Sequence, residues 1–401
     1  QANEKNANLV KISAKGPAVN PRGIGIKLDA WIAGAQQQYE IQAVRGYQSS
    51  LEPIAVIGLG KASKIDSIKA QWPAIGAKTY YDVASAEHLV LNFEDFTASI
   101  IQKPSTTEAI TQSVEDLGID FVHEENRFVE FNREPLIPHM TSSEGPAVAY
   151  ADVNGDGVSD LFLGNGKRKE SVLYLGQRGG KYRKTNQPAF ETDIVYEDVD
   201  ALFFDADQDG DQDLFVVSGG SEWMDESEYR ANRLYLNDGK GNFSRTELPE
   251  HFLNGSTAVV FDLDADRDLD VLLAARSKTW NYGRFADAYV LRNEGNGQFS
   301  LVDSNEIPLL KEFGMVTEME VADLDQDGYQ EIVVAREWQS LAVLEVKDGK
   351  LVQDVDMQAA FEPYTGWWTS VYIQDINGDG KLDVLAGNLG LNSRIKASEE
   401  E

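Results

Sequence analysis

Apolar residues in this chain come in runs of four or five, too short for helices and set between turn-forming Gly, Asn, Asp and Pro. AVAYA (147–151), ALFF (201–204), AVVF (258–261), EMEVA (318–322) and SVYIQ (370–374) open five such groups. Each is answered, after an acidic interval, by LFLG (161–164), LFVVS (214–218), VLLAA (271–275), IVVA (332–335) or VLAG (384–387). These runs read as strand pairs joined by the acidic interval. In two groups LYLNDGKGNFSR (234–245) and VLRNEGNGQFSL (290–301) add strand, Gly-rich turn and strand, and SVLYLGQRGGKYRK (171–184) is a looser version. Four strands per repeat is the size of one propeller blade.

Residues 17–82 have a different rhythm. NPRGIGIKLDAWIAG (20–34), QYEIQAVRGYQSS (38–50), IAVIGLG (54–60) and KIDSIKAQWPAIG (64–76) alternate apolar and polar positions between turns. They predict a small β-rich domain. Residues 83–139 read as a connector, with a short helix expected over PSTTEAITQSVEDLG (104–118) and a Pro-broken strand pattern over 121–140. The fold class expected is all-β: a β-propeller with at least five blades represented and incomplete, preceded by the small domain.

The acidic intervals are the chain's densest chemistry. They are DVNGDGVSD (152–160), DADQDGDQD (205–213), DLDADRDLD (262–270), DLDQDGYQE (323–331) and DINGDGKLD (375–383), starting 53, 57, 61 and 52 residues apart. Two carboxylates 4 Å apart repel by roughly 4 kcal/mol in a surface-like dielectric. Clusters like these invite a divalent cation. Side-chain oxygens at positions 1, 3 and 5, a backbone carbonyl at 7 and a carboxylate at 9 make the hard-oxygen shell of calcium, with Gly at 6 for the turn. The candidate ligands are Asp152, Asn154, Asp156, Val158 and Asp160; Asp205, Asp207, Asp209, Asp211 and Asp213; Asp262, Asp264, Asp266, Asp268 and Asp270; Asp323, Asp325, Asp327, Tyr329 and Glu331; Asp375, Asn377, Asp379, Lys381 and Asp383. Up to five calcium sites follow. Magnesium, smaller and slower to shed water, is the weaker candidate. The third copy has Arg267 where the others have Gly, so its turn is expected to be strained or differently shaped, and Glu331 closes the fourth with a longer arm.

If the acidic loops share one rim, the loops after each second strand and before each first strand share the other. That second rim carries Trp223, Trp280, Trp338, Trp367 and Trp368, five of the seven tryptophans, with Arg230, Arg284, Arg336, Asn388 and Asn392. Aromatics beside Arg and Asn suit a sugar or a protein loop. The competing reading is that they pack between blades, and one of Trp367 and Trp368 must face inward because strand neighbours point oppositely.

These motifs resemble the FG-GAP/VCBS repeats of integrin-type β-propellers over roughly 140–401, and the resemblance implies a calcium-stabilised, commonly seven-bladed propeller on an exported or cell-surface protein. With five motifs and eighteen residues after the last, further repeats are expected in the parent protein. GYQSS (46–50), VIGLG (56–60) and IDSIKAQWP (65–73) resemble the ASPIC/UnbV domain, found beside such repeats in cartilage acidic protein-like and bacterial surface proteins.

Composition narrows the partners. Thirty-six basic residues against 67 acidic ones give a net charge of −31, which argues against nucleic acid and anionic membrane surfaces. No cysteine means no disulfide framework or thiolate metal site. No apolar run reaches the eighteen or so residues of a membrane span. The opening QANEKNANL, without Met, reads as an excised piece. His88, His123, His139 and His251 form no metal-spaced pair, no HExxH or GxSxG occurs, and neither GIGIKLDAWIAG nor IGLGKAS is a nucleotide loop. The function expected is a calcium-binding surface or secreted module that binds an extracellular protein or glycan without catalysis, placed outside the cell or, in a bacterium, at the outer membrane. The alternatives are a calcium-dependent glycan-active enzyme of lyase or hydrolase type, or a structural spacer.

Overall fold

A computed structural model describes residues 8–44, 50, 52–73, 75–96, 117–224, 227–347 and 349–392. The chain divides into two compact units, residues 1–111 and 112–401.

In the first unit, alternation along KIDSIKAQW turns Ile68, Ala70 and Trp72 to the buried side of a strand and leaves Lys69 and Gln71 outside, and Ile65 is buried as well. Among the described residues seven strands form: β1 (Asn8–Lys15), β2 (Lys27–Ile32), β3 (Ala35–Glu40), β4 (Ala55–Gly60), β5 (Lys64–Trp72), β6 (Gly76–Ala84) and β7 (His88–Asn92). They make an antiparallel sheet β3-β2-β5-β6 and a smaller sheet β4-β1-β7, in which β1 and β7 run parallel. Val10, Ile12, Leu28, Ile57, Ile65, Ile68 and Trp72 fill the core. Trp72 meets Phe93 and Phe96 edge-on at 5.1 and 5.3 Å. Residues 83–96, read from the sequence as the start of a connector, therefore belong to this unit. Most of the helix expected over 104–118 lies outside the described residues.

In the second unit four blades are complete. They are β8–β11 (Val148–Ala151, Asp160–Leu163, Val172–Gln177, Lys181–Lys184), β12–β15 (Asp198–Phe204, Asp213–Ser218, Arg233–Asn237, Phe243–Thr246), β16–β19 (Gly255–Phe261, Asp270–Ala275, Tyr289–Asn293, Phe299–Leu301) and β20–β23 (Val316–Ala322, Glu331–Gln339, Ala342–Lys347, Lys350–Gln353). A fifth contributes β24 (Gly366–Gln374) and β25 (Asp383–Asn388). Strands within a blade run antiparallel in sequence order. The second strands β13 and β17 do not alternate because both their faces are covered. All six residues of β13 and all six of β17 are buried. One face of β13 (Leu214, Val216) packs with Phe162 and Phe190 of the first blade's side, the other (Phe215, Val217) with Val271 and Leu273 of the third. β21 is longer than its counterparts: after pairing with β20 and β22, its end pairs through Glu337 and Gln339 with Trp367 and Gly366 of β24.

Candidate metal centres and ligand face

The acidic loops each join the first and second strand of a blade, and one hydrogen-bond pattern shapes all five. The position 1 carboxylate accepts the N–H of position 6, from Gly157, Gly210, Arg267, Gly328 and Gly380 at 2.8–3.1 Å. Position 5 accepts the N–H of position 7 in every copy. Position 9 reaches back to the N–H of position 2. Position 3 accepts from position 5 in four loops. The third loop differs, with Ala265 donating to Asp262 instead. Arg267 takes φ 78°, the left-handed turn that Gly210 makes at 93°, so the turn keeps its shape and carries the strain of a side chain there.

In loops two and four this pattern spends one oxygen of the position 1 carboxylate on the backbone and leaves the other over, whereas Asp152, Asp262 and Asp375 accept backbone N–H groups on both oxygens. Ligand oxygens of Asp205, Asp207 and Asp213 lie within 4.8 Å of one another, as do those of Asp262, Asp264 and Asp270 and of Asp323, Asp325 and Glu331. The first and fifth loops carry Asn154 and Asn377 at position 3, so they gather one carboxylate fewer. The second oxygens of Asp205 and Asp323 are buried without a hydrogen-bond partner, and so is one of Asp211. A buried acceptor left bare costs about 1–3 kcal/mol, more when charged. A cation inside the loop would satisfy it, and the all-oxygen donor set fits a hard divalent ion. Burial, then the neighbouring acids, pushes Asp211 up to about 6. Burial pushes Asp213 up to about 7 and Asp270 to about 6, against the backbone N–H groups that hold them.

The other ends of the blades solve their charges internally. Residues 117–146 run along the loops that follow the second strands. Glu130, buried, accepts from Thr141 N at 2.6 Å, Ser142 N at 2.9 Å and the hydroxyls of Thr141 and Ser221. Arg133 donates to Ser221 O and lies 4.3 Å from the Trp280 ring centroid. Arg276, after β17, holds Glu144 at 2.7 Å and bonds Glu337 and His139 Nε2. Glu337, fully buried, also accepts from Trp367 Nε1 at 2.7 Å and the Tyr282 hydroxyl at 2.6 Å. Beside this knot opens a cavity of about 870 Å³, walled by Phe131, Leu136, Pro138, His139, Trp367 and Leu389. Further along the inner strands, Asp200 and Glu318 share a smaller cavity with Glu144 and Thr369, and burial pushes Asp200 up to about 6 and Glu318 to about 7.

The rim residues named from sequence part ways here. Trp338 and Trp367 pack with centroids 4.8 Å apart and their rings tilted by 45°. Trp223 sits under Lys167 Nζ at 3.7 Å and against Tyr229. Trp280 is 37% exposed, and Trp368 is half-buried with its Nε1 on Tyr364 O. Arg230 is fully buried, donating to Thr279 and Gly220 O, so it braces the loop and is closed to a ligand. Arg336 is half-buried over Ser340 O and Phe313 O, and burial pushes its guanidinium down to about 10. Arg284, Asn388 and Asn392 are exposed. Sequence reading missed Glu130, Glu144, Arg276 and Glu337, each of which has at least one partner far along the chain.

Residues 16–97 match the ASPIC and UnbV family, and residues 152–216, 205–273, 262–334 and 323–386 match the FG-GAP-like repeat. No curated protein matches the chain. Among solved structures, BBS1N in its complex with ARL6DN is similar at 14% identity and a TM-score of 0.39, over 62% of this chain and 65% of that one. The Vibrio cholerae (V. cholerae) biofilm matrix protein Bap1 is 14% identical, TM-score 0.32, over 61% and 34% of the two chains. An endo-arabinase from Bacteroides thetaiotaomicron is 9% identical, TM-score 0.37, over 65% and 97%. The chain thus spans just under two thirds of BBS1N and about a third of Bap1, and likeness this distant supports no argument about function.

Proposed function

Because this chain belongs to the FG-GAP-like repeat family, with repeats over residues 152–386, we propose that it is a calcium-binding propeller module that binds a protein or carbohydrate. The observation that carries the metal reading is the bare, buried oxygen of Asp205 and Asp323 inside converging carboxylates. Calcium suits an all-oxygen loop, and millimolar extracellular calcium saturates the weak sites usual in extracellular modules, which favours an exported or cell-surface setting. The ligand would enter the cavity beside Trp367. Its apolar wall offers contact area, and His139 and Thr369 offer a few polar groups for orientation. Calcium would then hold the loop rim rigid while the opposite rim binds.

Isothermal titration of the metal-stripped chain with calcium tests the first half: heat with a stoichiometry of at least three sites supports it, and no heat sinks it. A glycan and extracellular-protein screen with and without calcium, repeated with Trp367→Ala, tests the second. One observation favours the enzyme reading: His139 and Arg276 line one cavity, and Glu337 behind them bonds both Arg276 and Tyr282. Against it, both Glu337 oxygens are engaged and no part of the residue is exposed, which leaves His139 as the group able to reach a substrate. New reducing ends from a polysaccharide panel, lost in His139→Ala, would decide for catalysis.

A further inference from the structure

Two asparagines tie the acidic loops to one another. Asn237, at the end of β14, donates its Nδ2 to Val153 O at 2.8 Å, in the first loop, and to Gln212 O at 3.1 Å, in the second. Its backbone N–H holds Asp213, position 9 of the second loop, at 2.8 Å. Asn293, at the end of β18, repeats this one blade on. Its Nδ2 reaches Ala206 O (2.9 Å) of the second loop and Leu269 O (3.4 Å) of the third, and its N–H holds Asp270. Both are buried.

The carbonyls at Val153 and Ala206 belong to position 2, whose N–H is held by that loop's own position 9 carboxylate. A relay therefore runs from Asp160 through the Val153 and Ala206 peptides and the two asparagines to Asp213 and Asp270. It has a natural break. Where the second and third blades carry Asn, the fourth has Lys347, whose side chain is exposed. The turn is nonetheless in place, since a Cβ on Gly349 would stand 3.9 Å from Leu263 O, the position 2 carbonyl of the third loop.

We infer that cation binding is coupled along loops one, two and three through Asn237 and Asn293, and that this coupling stops between loops three and four. Ordering one loop fixes its position 2 peptide and, through the asparagine, the position 9 carboxylate of the next. The next ion then has less left to order, which is positive cooperativity. This rests on the calcium reading above and adds to it a path and an end.

Hydrogen–deuterium exchange of each loop's peptides, followed over a calcium titration of the full chain, gives one midpoint per loop. Asp209→Ala, which disables loop two, should raise the midpoints of loops one and three by about fivefold or more and leave loop five unmoved. Adding Asn237→Ala should abolish the shift at loop one. Gln208 also bonds Asp268, so loop three keeps a second link and loop one is the cleaner reporter. Should Asn237→Ala fail to fold, Lys347→Asn supplies the missing amide. In that background, disabling loop three with Asp266→Ala should newly shift loop four. Unmoved midpoints at loops one and three, equal shifts in all five, or no gained coupling in Lys347→Asn would overturn the inference. Calcium-independent exchange at every loop would overturn the calcium reading as well, a distinguishable result.

Discussion

The two rims of the propeller bury carboxylates in opposite ways. On the loop rim, acids face acids, and most of the hydrogen bonds they accept come from backbone N–H groups of the loop itself or of the neighbouring third strand. On the other rim Glu130, Glu144 and Glu337 meet Arg276, hydroxyls, an indole and backbone N–H groups contributed by segments up to 132 residues away. One end of the blades gathers acids that could hold a cation, closest in loops two, three and four; the other is closed by the chain itself. The rims should therefore answer differently to the same insult.

Chelation should separate them most. Each cation site filled at 100 times its dissociation constant adds about 2.7 kcal/mol, so EDTA should lower the melting temperature of the second unit by about 10 °C or more, and calcium should restore it. Differential scanning calorimetry checks this, and an unchanged melt removes the contrast. Next comes Glu337→Ala, which strips a buried ion pair of its acid and should cost about 3–5 kcal/mol in chemical denaturation, in calcium and in EDTA alike. A loss confined to EDTA would mean the rims are not separate. Arg267→Gly should work the other way on the loop rim, adding about 0.5–1 kcal/mol by relieving a side chain at φ 78°.

The smallest effect concerns pH. Glu318, about 7, and Asp200, about 6, sit above their unfolded values, so the folded state holds protons that the unfolded state releases. That stability is full below about pH 4 and is lost as pH rises towards 7. Glu318→Gln should flatten this fall by on the order of 1 kcal/mol, read as the difference in denaturation midpoint between pH 5 and pH 8 in EDTA.

The loop rim was legible in the sequence because it is periodic. Five acidic segments in phase between apolar runs leave little freedom about which strands they join, and the structure places each loop there. The opposite rim was half legible: strand polarity put Trp338 and Trp367 at one end of their blades, but nothing local separated the buried Arg230 from the exposed Arg284. The knot around Arg276 and Glu337 was not legible. Its members occur once each, and His139 meets Arg276 across 137 positions. Asn237 and Asn293 were visible as recurring turn residues in LYLND and VLRNE, yet their role appears only when one blade's turn is seen over the previous blade's loop. Similarly, the parallel pairing of β7 with β1 joins residues 88–92 to 11–15, a contact that no period announces.

The long strand β21 belongs to two sheets at once, and this has a mechanical consequence. Under a pull on the chain, the first three blades, joined to their neighbours by side-chain packing and scattered hydrogen bonds such as Ala147 N–H to Asp198 O and Ala258 N–H to Asp200, should peel away in turn. Blades four and five share backbone ladder bonds in shear, so they should resist together and yield together, as one step in an extension trace.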